Sequence, residues 1–200
     1  MIHHLVQYIS THQNLAYGTL FLAALLEAVP AIGSLVPGST IILSLSALIA
    51  TGDLGIAPVL ASVVVGALLG DGAAFWFGHI NQGKLDRIWP LDRHPDLIIK
   101  SQALFDKYGG AAVLAARFLP PMRAFVPLVA GTLGMPPRQF YPRSALAIAL
   151  WAPAHVVPGI LAGTAYRRAG AAAEQLILPI VAGVIVIGIA IWAYRRWIAG

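Results

Sequence analysis

Cysteine is absent from all 200 residues, which excludes disulfides, thiolate metal sites and iron–sulfur clusters. Charge is nearly as scarce. Asp, Glu, Lys and Arg make up 10% of the chain, against about a quarter in ordinary soluble domains, while 58% is apolar. With a mean hydropathy of +0.78, the chain reads as a polytopic, all-α membrane protein with no room for a separate soluble catalytic module. The first ten residues lack the Lys/Arg cluster of a secretory signal, so no cleaved targeting peptide is expected. No glycine-rich phosphate loop, nucleophile motif or metal-ligand spacing occurs, and neither an enzyme, a cofactor nor a metal is expected. The net charge of +5 reads as a topology signal rather than as nucleic-acid binding.

The few charges sit where a bilayer makes them expensive. Residues 116–135 are apolar enough to enter a membrane, yet they contain Arg117, Arg123, Pro120, Pro121 and Pro127. A guanidinium near the bilayer centre costs from about 3 to well over 10 kcal/mol, and each proline removes a backbone donor. This stretch reads as a broken helical hairpin over about 109–135, lined by protein or water.

A second interrupted run spans residues 17–50. As one helix it would extend roughly 51 Å, against a hydrocarbon core of about 30 Å. Pro30, Gly33, Pro37 and Gly38 interrupt it, and Glu27 lies on its entering arm. Each arm is too short to cross, so a re-entrant hairpin is expected. Full spans are expected at about 56–78, which carries Asp71, at 140–166, which carries Arg143 and His155, and at 175–195. The polar segment 79–108 reads as a loop with an amphipathic surface helix over 96–108. Residues 1–16, with His3, His4 and His12, read as a short interfacial helix.

The two broken segments match at a constant offset of 90 residues: Glu27 aligns with Arg117, Pro30 with Pro120, Val36 with Val126 and Pro37 with Pro127. Paired interrupted segments in two halves are a sequence pointer to a transporter's binding site. One full span separates them, so two re-entrant hairpins would enter from opposite faces, as an inverted repeat requires. The 79–108 loop, the 136–143 connection and the C-terminus would then share one face carrying nine Lys/Arg, against Arg167 and Arg168 on the other. The excess of positive charge puts the first face in the cytoplasm.

Leu-Glu-Ala-Val-Pro at 26–30, Val-Pro-Gly-Ser-Thr at 36–40 and Gly-Ala-Leu-Leu-Gly-Asp at 66–71 resemble the first half of DedA-family membrane proteins. Arg-Phe-Leu-Pro-Pro-Met-Arg at 117–123 and Val-Pro-Leu-Val-Ala-Gly at 126–131, with Met135 and Phe140, resemble that family's most distinctive motif. The resemblance covers roughly residues 20–165. It implies a bacterial inner-membrane protein with two opposed re-entrant hairpins, also called the VTT or SNARE-associated domain. It also implies lipid transport: some members are implicated in returning undecaprenyl phosphate across the membrane, and others in drug and pH tolerance that depends on the proton motive force. Glu27, Arg117 and Arg123 match positions regarded as functional in the family. Many members carry an acidic residue directly after the Pro-Gly of the first hairpin, where this chain has Ser39. Asp71 is the candidate replacement.

Arg117 and Arg123 are six residues apart, so only a break between them could turn both toward one point. Converging guanidiniums suit a phosphate, whose oxygens their planar forks contact in pairs. The alternative is that Arg117 pairs with Glu27 or Asp71, or snorkels to the surface. Both can hold if Glu27 keeps an arginine until a head group arrives and protonation then releases it. Pro30, Pro37, Gly38, Ser39, Pro120, Pro127 and Gly131 are expected to shape the hairpins, with Ser39 and Thr40 satisfying backbone groups at a tip. Arg143 reads as an interfacial anchor. His155 reads as a hydrogen-bonded structural residue or as part of a proton path.

Three functions follow: a lipid-phosphate transporter whose partners are membrane lipids and protons, a proton-coupled exporter of small ions or drugs, and a non-transporting membrane assembly factor. The oligomeric state is left open, a homodimer included.

Overall fold

A computed structural model describes residues 13–30, 32–82, 95–119 and 122–169. The last expected span at 175–195, the N-terminal histidines, Pro120, Pro121 and most of the charged loop lie outside the described residues. The chain divides into two compact units, the first ending at Gly163. The described part of the second, residues 164–169, is the end of a helix that starts in the first.

The described residues form eight α-helices and no strand: α1 Gln13–Glu27, α2 Ile32–Leu35, α3 Gly38–Ser46, α4 Ile56–Ile80, α5 Pro95–Tyr108, α6 Ala112–Ala116, α7 Met122–Thr132 and α8 Pro137–Ala169. Two of them, α4 and α8, are long and apolar enough to cross a membrane. Their outward positions carry exposed large apolar side chains, Leu69, Leu146 and Leu150 among them. By contrast α7, at 11 residues, reaches only roughly 17 Å.

The first broken segment is interrupted where expected. Helix α1 ends at Glu27, a turn contains Pro30, and Pro37 sits immediately before α3. There a missing backbone N–H costs nothing, because the first turn of a helix leaves its donors unpaired. Three boundaries differ. Residues 13–16 belong to α1 rather than to a separate interfacial helix. The second span begins at Pro137, three residues early, since proline is well suited to a first helical position. Pro127 lies inside α7 instead of interrupting it, as Pro142, Pro153 and Pro158 lie inside α8. A proline in this position removes one intrahelical bond, and the burial of α7 from Ala124 to Thr132 holds the helix across that gap.

Helix α4 is the central stave. Its first half packs on α1 and its second half on α7. Small residues permit this: a Cβ at Gly66 would stand 2.3 Å from the carbonyl oxygen of Phe21, and one at Gly78 would stand 2.1 Å from that of Leu128. Gly131 returns the contact, with its Cβ position 2.1 Å from the Phe75 carbonyl oxygen. Gly131, expected to shape a hairpin, lies within α7 and permits a helix crossing. On the other side Gly159 of α8 meets the backbone of α3 at Leu43.

One apolar core joins α1, α3, α4 and α8 through Leu20, Ile42, Val59, Val63, Ile148 and Val156. Another joins α4, α6, α7 and α8 through Phe75, Val113, Val126 and Phe140, with the Phe75 and Phe140 rings stacked at 4.1 Å. The helix expected at 96–108 is present as α5; among its described side chains Ser101 is buried and Phe105 packs inward, while Ile99 and Tyr108 are exposed.

Candidate functional site

Helix α3 begins with no side-chain cap, because Pro37 at its N-cap offers no acceptor. The last residue of α1 supplies one. Glu27 Oε1 accepts a hydrogen bond from the Ser39 backbone N–H at 2.8 Å. A carboxylate at a helix N-terminus meets both an unpaired donor and the positive end of the helix dipole. The fit requires glycine at 38, where a Cβ would stand 2.9 Å from the Glu27 carboxyl carbon.

The same Glu27 oxygen pairs with Arg123 Nη2, and Arg123 Nη1 donates to the Ser39 hydroxyl at 2.9 Å. Arg123 stands on the first turn of α7, and Arg117 on the turn that closes α6. Arg117 Nη1 pairs with Asp71 Oδ2 on α4 at 2.5 Å, and that oxygen also accepts from the Ser144 hydroxyl of α8 at 2.7 Å. Glu27, Asp71 and Arg117 are each less than 10% exposed. Such pairs repay the desolvation of both charges only when closely matched in position.

The two arginines do converge, and Trp151 of α8 is the meeting point. The Arg117 guanidinium lies 4.8 Å from the indole centroid and that of Arg123 5.9 Å. Trp151 is itself buried. Two guanidiniums and two carboxylates form a formally neutral cluster at one ring. Glu27 Oε2, Asp71 Oδ1 and Arg117 Nε have no hydrogen-bond partner within it.

Two cavities adjoin the cluster. A small one of about 10 Å³ lies between the pairs, bounded by Glu27, Asp71, Arg117, Arg123 and Trp151. A larger one of about 350 Å³ has Glu27, Arg117, Arg123, Ser39 and His155 among its polar lining, with Val36, Pro37 and Phe118 as apolar wall.

Residues 36–161 match the VTT domain family. The chain belongs to that family, the DedA family of membrane proteins. Among its relatives are two Escherichia coli (strain K12) proteins. The inner membrane protein YabI is 33% identical over 144 residues, 72% of this chain and 57% of YabI. Protein DedA is 26% identical over 168 residues, 80% of this chain and 75% of DedA. This chain thus spans little more than half the length of YabI. No solved structure matches it.

Within this VTT-domain chain, of the two partners expected for Arg117 the structure shows Asp71, while Glu27 pairs with Arg123. The expected backbone role of the Ser39 hydroxyl is corrected as well: it accepts from Arg123, and only the Ser39 backbone meets Glu27. Arg143 donates to the Gln139 carbonyl of its own helix at 2.7 Å and packs against Gly110. Sequence reasoning missed Trp151 and Ser144. Neither carries a motif, and only the placement of α8 beside Asp71, Arg117 and Arg123 makes them part of the site.

Proposed function

We propose that the protein moves a lipid phosphate across the membrane, with Arg117 and Arg123 as the head-group site. Its occupant would be undecaprenyl phosphate, in keeping with the family resemblance, and Glu27 and Asp71 hold the arginines when no head group is bound. The observation that carries this reading is two guanidiniums over one indole beside a cavity of about 350 Å³ with a partly apolar wall. A phosphate monoester brings up to two negative charges and three acceptor oxygens, enough to engage both planar forks.

The charge balance supplies a mechanism. Adding a dianion to a neutral buried cluster is unfavourable unless the carboxylates give up their arginines. Protonation of Glu27, whose Oε2 has no partner, leaves the Arg123 charge unpaired, and a negative charge of the incoming head group offsets it. Proton entry and head-group entry are coupled on this reading. The two broken segments act as opposed re-entrant hairpins, with α4 crossing between them and α8 after the second, and the 79–108 loop and C-terminus lie in the cytoplasm. The short reach of α7 and the excess of positive charge on that loop support this arrangement.

The buried Glu27 also suits a second reading, a proton-coupled exporter with Glu27 as carrier and no lipid substrate. Proteoliposomes separate the two. The lipid reading expects translocation of a labelled prenyl phosphate that is lost in Arg117→Ala and Arg123→Ala. Proton movement dependent on Glu27 without lipid flux supports the exporter. A wild-type protein inert in both assays leaves an assembly factor.

A further inference from the structure

The larger cavity is bounded on its α8 side by a residue that the phosphate reading does not yet use. His155 is half-buried and lines it together with Arg117, Arg123 and Ser39. Its Nδ1 lies 2.9 Å from the Trp151 carbonyl oxygen one turn earlier, and its ring is 4.6 Å from the Trp151 indole. A carbonyl only accepts, so Nδ1 carries the hydrogen of that bond. The ring's remaining nitrogen is Nε2. Both guanidiniums stand over the same indole, so three nitrogen-bearing groups are gathered around one side chain at one cavity.

We infer that His155 is a third contact for the phosphate group, made through Nε2, and that Trp151 sets its position relative to the two arginines. This rests on the lipid-phosphate reading. Two guanidinium forks leave phosphate oxygens unsatisfied when the head group is out of water, and a third polar contact from α8 completes the shell. A charged imidazole donates from Nε2 to a phosphate dianion. A neutral one accepts from the hydroxyl of a singly protonated head group. Either way one proton lies between Nε2 and the phosphate. The other ionisable groups facing the cavity are Glu27, Arg117 and Arg123, so His155 is its single imidazole among the described residues.

The competing account needs only Nδ1: a histidine that ties its ring to its own helix. Side-chain amides separate the two accounts, because glutamine places a nitrogen near the position of Nε2 and asparagine near that of Nδ1. The test is binding of farnesyl monophosphate to the full chain in detergent, with farnesol as the chain-only control and thermal unfolding of each variant alongside. His155→Gln should bind farnesyl monophosphate within about threefold of wild type, whereas His155→Asn and His155→Leu should weaken it roughly tenfold, the range of one hydrogen bond to a charged group. Farnesol binding should be unchanged throughout. Wild-type affinity in His155→Asn with loss in His155→Gln would overturn the inference and leave His155 structural. So would equal loss of farnesol and phosphate binding. If His155→Leu fails to fold, the glutamine and asparagine variants decide alone. A wild-type protein that binds farnesyl monophosphate no better than farnesol removes the phosphate reading itself, and the role of His155 with it.

Discussion

Asp71 and Arg117 are the residues whose removal separates fold from function. Both are buried, and Asp71 serves Arg117 and Ser144 through one oxygen. Asp71→Asn leaves a buried guanidinium without its anion, and breaking such a pair costs about 3–5 kcal/mol. We expect a clear fall in the unfolding temperature in detergent, largely recovered in the Asp71→Asn, Arg117→Met double variant, where no charge remains unpaired. Glu27→Gln is expected to be milder, since the amide oxygen can still accept from the Ser39 N–H and Arg123 keeps the Ser39 hydroxyl. In transport assays that variant should lose dependence on an inward proton gradient. Arg117→Lys probes the planar fork: a lysine that restores full lipid translocation means that charge alone matters.

Among the elements, the crossing of α4 with α7 has the least tolerance. Gly78 and Gly131 each face the other helix's backbone at a distance no Cβ could occupy. Gly131→Val should force α7 away from α4 and displace Arg123 with it, seen as loss of both folded yield and head-group binding. Gly18 gives the opposite expectation. Nothing lies within 4 Å of its Cβ position on the exposed side of α1. Gly18→Ala should therefore raise stability by about 0.5–1 kcal/mol without affecting transport. Proline was a less dependable guide than glycine at this scale. Pro30 and Pro37 do mark the turns of the first segment, but Pro127 sits in a continuous helix. A proline's missing bond can be offset by burial, and a sequence does not report how well the surrounding helices supply it.

Within the first unit, the described residues form two helical segments packed on one central stave, with the charges of both brought to the third wall that α8 provides. The cysteine-free sequence makes its membrane orientation directly testable. With a thiol reagent that does not cross membranes, Lys107→Cys should be labelled only in inverted vesicles and Thr51→Cys only in intact spheroplasts. Labelling of both from one side would show that the intervening helix α4 does not cross.

Composition by itself determined that the protein belongs in a membrane, because so little charge and so much apolar surface have no stable arrangement in water, and the long apolar runs indicated helices. The spacing of proline, glycine and charge located both broken segments, and with them Glu27, Arg117 and Arg123. Those features are local, set by the backbone chemistry of each residue and its neighbours. Which acid meets which arginine was decided only by the tertiary structure. The aligned pair, Glu27 and Arg117, is not the ion pair: the cap that α3 needs draws Glu27 toward Arg123, and the glycine-lined approach of α1 to α4 leaves Asp71 to Arg117. Trp151, Ser144 and His155 enter the site for the same reason, since α8 lies far along the chain and only packing brings it across the charges.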